Sequence, residues 1–141
     1  MSKKDFTTFP FQERIEKPWG HEIRYTPENF PHTGKILFIK AGKKPSFQYH
    51  DEKEEMICLF SGKALIWLEN DKGEIEKNPM ELQKGYRVLP FQKHRMEAIE
   101  DSFLEVGSFR KIATISSTVN FLLSFLRKFE DYYPNLNAIA N

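Results

Sequence analysis

One cysteine, Cys58, stands among 141 residues. An internal disulfide is therefore excluded, and with it the stapled class of small secreted domains. Long apolar runs are missing. The longest, Val119 to Leu126, is broken by Asn120 and Ser124 and falls short of the ~20 residues that a bilayer span needs. No excess of one charge is present, the formal net charge being +1, so nothing marks a nucleic-acid or other polyanionic partner. The start, Met1-Ser2-Lys3-Lys4-Asp5, has no apolar stretch behind it and does not read as a secretory leader. A reducing cytoplasm is the expected setting. Internal repeats and low-complexity tracts are also missing. Phenylalanine, by contrast, is abundant at 13 residues. The length allows a single domain, and large rings give such a domain its core.

Residues 1–33 are rich in Pro and Phe and hold one short strand candidate, His21 to Tyr25. They read as an arm that wraps or pairs with something. From 34 to 109 the chain is strand after strand. The candidates are 35–40, 46–50, 55–60, 63–69, 86–90, 94–100 and 103–109, with Gly and Pro at the joints. Asn70-Asp71-Lys72-Gly73 reads as a hairpin turn with Gly73 free to take positive φ. Many short strands so punctuated predict an all-β sandwich or barrel. In residues 110–141 the period changes. Val119, Leu122, Leu123, Leu126, Phe129 and Tyr133 recur at helical spacing, and Pro134 ends the run. An amphipathic helix is expected over 117–133.

The chemistry centres on four residues. Gln48 and His50 lie two apart in a strand candidate, so their side chains leave on one face. Glu55 follows on the next candidate, and His94 comes much later. Two imidazoles, a carboxylate and an amide oxygen form a donor set for one divalent metal. Imidazole suits Zn, Fe or Ni, and the oxygens suit a harder ion such as Mn. Taken singly, each residue would be an ordinary strand residue; the spacing of the set carries the reading. Cys58, between Met56, Ile57, Leu59 and Phe60, reads as a structural thiol.

Gly42, Gln48, His50, Glu55 and Gly62 resemble the first cupin motif in full register, with Gln48 where most cupins carry His. Gln followed by His in Ser46-Phe47-Gln48-Tyr49-His50 is similar to the metal-binding strand of phosphomannose isomerases. Gly85, Pro90 and His94 are similar to the second cupin motif. There the step from Pro90 to His94 is one residue short, Gln92 replaces the usual Gly, and Ala98 the usual Asn. Lys17-Pro18-Trp19-Gly20, His94-Arg95-Met96-Glu97-Ala98 and Glu130-Asp131-Tyr132-Tyr133 resemble the stand-alone cupin domains related to type II phosphomannose (mannose-6-phosphate) isomerases. Arg110 to Phe125 has no counterpart in that pattern.

The resemblance implies an all-β cupin barrel over 34–109, a double-stranded β-helix or jelly-roll-like fold, with an arm at 1–33 and a short helix in the tail at 110–141. It implies metal held by Gln48, His50, Glu55 and His94, and a homodimer. It also implies a small sugar or sugar phosphate as partner and aldose–ketose isomerisation as the activity. Lys35, opening a barrel strand, and Arg95, after the second histidine, are the candidate catalytic cations for a phosphate or an enediolate. Strand alternation turns Arg95 away from the metal if His94 faces it. Two further readings stand beside this one. Two histidines and a carboxylate are also the ligand set of non-haem iron dioxygenases. The same barrel can hold a sugar or nucleotide sugar without turnover, since this fold serves enzymes and binding proteins alike.

Overall fold

The computed structural model divides the chain into two compact units, Met1–Arg110 and Lys111–Asn141. It describes residues 6–110; the helix expected over 117–133 lies outside the described residues. Nine strands follow one another: β1 Glu13–Lys17, β2 Gly20–Arg24, β3 Thr33–Ile39, β4 Lys53–Ser61, β5 Ala64–Glu69, β6 Ile75–Pro79, β7 Gly85–Val88, β8 His94–Ala98 and β9 Ser102–Arg110. They build a six-stranded sheet in the order β1-β2-β3-β9-β4-β7 and a three-stranded sheet in the order β6-β5-β8. Every named pairing is antiparallel.

Alternation explains the layers. In β9, Ser102, Leu104, Val106 and Ser108 are buried, while Phe103 and Phe109 face outward. Leu37 and Ile39 of β3, Ile57 and Leu59 of β4, and Ile66 of β5 join Leu104 and Val106 in one buried cluster. The period of two thus puts one face of each sheet inside. The hairpin between β5 and β6 turns where expected: Gly73 takes φ 78° and donates its N–H to Asn70 at 3.0 Å.

The interior changes character along its length, and register sets the change. Leu37 pairs with Leu104, which pairs with Leu59. One inward-facing step along, Arg24 pairs with Lys35, and Lys35 with Val106. A further step brings Thr33, Ser108 and Glu55 into line. One end of the lumen is therefore apolar and the other is charged.

One sequence expectation needs correction. Residues 46–50 do not form a strand; Gln48 alone makes an isolated bridge, to His94. Pro45 has no N–H to give a ladder, and the chain bends at Asp51 and Glu52. Within residues 1–33, β1 and β2 extend the six-stranded sheet beyond β3. Their inward faces contribute charge rather than apolar bulk, which hid β1 from the hydrophobic pattern.

Candidate metal centre

His50, Glu55 and His94 come together at the charged end of the lumen, with one potential ligand atom from each lying within 4.8 Å of the others. Glu55 and His94 are buried. Glu55 is placed by β4 and His94 by β8, so the cluster bridges the two sheets. His50 arrives from the loop after the Gln48 bridge, and its Nε2 lies 2.6 Å from Glu55 Oε1. Ligands about 2.0–2.2 Å from one ion stand about 3–4 Å apart, so the three groups sit near coordinating distance.

The protonation chemistry favours an ion. Burial, then the neighbouring Lys53, hold His50 below the ordinary histidine value, against the pull of Glu55. Neutral imidazole is the ligating form. His94 Nδ1 lies 2.9 Å from the Gln92 carbonyl oxygen. A proton on Nδ1 donates there and leaves the Nε2 lone pair for a metal, the usual support for a ligating histidine. Gln92 is itself pinned: its side-chain oxygen accepts from Leu89 N at 2.9 Å, and its Nε2 donates to Glu69 O at 2.8 Å. This is the loop where Gln replaces the Gly of the cupin pattern. Its left-handed residue is the neighbour, Phe91, at φ 68°.

The cluster lines a cavity of about 250 Å³. Gln48 lines it too, beside His94 but exposed. Lys35 projects into it, its Nζ 3.4 Å from Glu22 Oε1. Arg95 is elsewhere, which corrects its assignment as a site residue. It occupies the opposite face of β8 from His94 and Met96, with its guanidinium 5.2 Å from the Trp67 ring centroid and Nε donating to Pro45 O at 2.9 Å. Alternation along the strand is the cause.

Among the charged cavity residues, Glu22, Arg24 and Lys53 escaped the sequence reading, and Lys17 entered it only within the Lys17-Pro18-Trp19-Gly20 segment. Burial alone would raise the Glu22 carboxyl, but Lys35 and Arg24 more than offset this and hold it below its usual range. Lys53 Nζ lies 3.9 Å from Glu55 Oε1. The available signal was charge at alternate positions, Glu22 with Arg24 and Lys53 with Glu55, on strands whose charged face turns inward.

No family model matches the sequence, and no curated protein matches it either. Solved structures do match in shape. A variant of oxalate decarboxylase from Bacillus subtilis aligns with 77% of this chain at TM-score 0.63 and 14% identity. The capsular polysaccharide assembling protein CapF from Staphylococcus aureus aligns with 77% at TM-score 0.57 and 16% identity. KdgF from Halomonas aligns with 72% at TM-score 0.56 and 14% identity, and 89% of its own length is covered. This chain has the cupin fold. It spans 31% of the oxalate decarboxylase chain and 30% of CapF. At these identities the shared property is the fold, and the chemistry of this chain rests on its own residues. No helix among the described residues is long and apolar enough to cross a membrane.

Proposed function

We propose that this cupin binds one divalent metal ion through His50, Glu55 and His94, with Gln48 as a weaker fourth donor, and acts as an aldose–ketose isomerase on a sugar phosphate. One observation carries the reading: the three-residue donor cluster shares its cavity with Lys17, Arg24, Lys35 and Lys53. Such a site suits a small oxygen-rich anion. The Gln48-Tyr49-His50 segment and its similarity to phosphomannose isomerases narrow the substrate to a hexose phosphate, with mannose 6-phosphate and fructose 6-phosphate the first pair. CapF, named for capsular polysaccharide assembly, shares the fold. The chain would work as a cytoplasmic homodimer, pairing through an edge of the six-stranded sheet.

The reaction moves one proton between C1 and C2 and a second between O1 and O2, through an enediol. A bound divalent ion supplies Lewis-acid polarisation of the carbonyl. Glu22 is the cavity's carboxylate besides Glu55. Its neighbours keep it ionised, so it is in the form that accepts a proton. The Lys35 ammonium, 3.4 Å away, donates to the oxygen where negative charge develops. Leu37, Met96 and Val106 close the inner wall with apolar surface, which keeps bulk water from the transferred proton.

The test is incubation of metal-loaded protein with mannose 6-phosphate or fructose 6-phosphate in deuterium oxide. Deuterium at C1 or C2, detected by NMR, is the expected result. Fully loaded protein that exchanges no proton in hexose or pentose phosphates or free sugars would overturn the isomerase reading. Oxygen uptake by the iron-loaded protein would then point to dioxygenase chemistry, and ligand binding without either would mark a binding module.

A further inference from the structure

Beyond the metal cavity, toward the barrel mouth, lies a second chamber of about 650 Å³. Arg24, Lys35 and Lys53 belong to the walls of both. The outer chamber adds Arg110, and Thr33 and Ser108 supply hydroxyls. Register fixes the order of these groups. Thr33, Ser108 and Glu55 share one rung, and Lys53 pairs with Arg110 on the next inward-facing rung toward the mouth. Two residues of strand separate those rungs, about 6.6 Å. Arg110 thus stands one inward-facing rung farther out than Thr33 and Ser108, while the Lys53 side chain reaches back toward the cluster, its Nζ 3.9 Å from Glu55 Oε1.

Of the carboxylates near these cations, Glu55 stands beside Lys53, its Oε1 3.9 Å from Nζ. Glu13 and Glu28 also line the outer chamber, but both are solvent-exposed. Glu22 sits in the inner cavity with Lys35 and Arg24 as partners. Lys35 is the most enclosed of the shared cations, with its side chain 19% exposed. His32 on the chamber wall is held between Phe30 and Phe109, at ring-centroid distances of 5.0 and 5.3 Å. One wall of the outer chamber thus carries the rings of Phe30 and His32, and the walls it shares with the inner cavity carry Arg24, Lys35 and Lys53.

We infer that the outer chamber is an anion site that takes the phosphate monoester of a bipartite ligand, whose other end reaches the metal cluster. Arg110 and Lys53 hold the phosphate oxygens as charge-assisted donors, and the Thr33 and Ser108 hydroxyls complete the cradle. The bipartite ligand rests on the proposed metal site; the anion site itself does not.

The experiment separates the two. Inorganic phosphate is titrated calorimetrically into the full chain at constant ionic strength, with and without chelator. Phosphate should bind in both states, and chloride should not compete at equal ionic strength. Arg110→Gln should weaken phosphate binding about tenfold, the loss of one charge-assisted bond, with metal stoichiometry unchanged. Arg24→Gln should weaken it as well, and serves as a second variant. His50→Ala should lose metal and keep phosphate. Phosphate binding that vanishes with chelator or with His50→Ala would place the anion on the metal and overturn the inference. So would Arg110→Gln and Arg24→Gln proteins that are folded and bind phosphate as well as the parent does. If phosphate binds as expected while no sugar exchanges deuterium, the isomerase reading falls and the anion site stands.

Discussion

His50 and Glu55 meet across the short bend at Asp51–Glu52, imidazole Nε2 to carboxylate Oε1 at 2.6 Å. Four residues of sequence separate them, and the third donor, His94, comes from the opposite sheet. With this geometry an ion takes the place of the direct His50–Glu55 contact rather than filling a gap between distant groups. His50→Ala and His94→Ala should each weaken metal affinity by more than the ~10–100-fold that loss of a supporting hydrogen bond costs. Glu55→Gln should do at least as much, because it removes the only charged donor. Gln48→Ala should do less, since an amide oxygen is the weakest of the four. Metal content after dialysis, measured by mass spectrometry, checks the ranking. Full retention by the His50→Ala, His94→Ala double variant would show that the site is misassigned.

The Gln92 side chain ties Leu89 N and Glu69 O together while its backbone carbonyl orients His94. Gln92→Ala should therefore lower metal affinity about tenfold without touching a ligand. A competition titration against a chelator reads this directly. An unchanged constant would mean that the loop holds its shape without the amide.

Glu22 provides the pH test. Its carboxyl is held below the ordinary value of 4.5, burial being outweighed by Lys35 and Arg24. The stabilisation from its ionised form is thus present above the ordinary value and is lost as pH falls through the lower, folded value. Glu22→Gln should cost about 1–2 kcal/mol at neutral pH. The difference from the parent protein should shrink on acidification below the ordinary value. Urea unfolding at a series of pH values measures it, and a difference that grows toward acid would contradict the assigned sign.

Tyr25 lies across Gly34. A Cβ on Gly34 would come within 2.2 Å of the Tyr25 ring, and the phenol donates to Glu105 Oε1 at 2.5 Å. Gly34→Ala should destabilise by about 1–3 kcal/mol through overpacking. In a Tyr25→Ala background the same change should be nearly neutral, since the clashing ring is gone. A double-mutant cycle by thermal unfolding gives the coupling; additive costs would show that the ring and the glycine do not meet.

The all-β architecture was legible in the sequence because it is written locally. Period-two burial in 35–40, 55–60 and 103–109, and glycine in the turn at Gly73, need only neighbouring residues. The grouping of His50, Glu55 and His94 was legible for a similar reason, since their spacing is a pattern along the chain. Tertiary structure alone decided the rest. Whether a charged side chain lines the lumen depends on register between strands, which is why Glu22, Arg24 and Lys53 join the site and Arg95 leaves it for the outer face of β8. The bridge at Gln48 in place of a strand was settled in the same way, because hydrogen bonds to residues far along the chain determine which backbone groups pair.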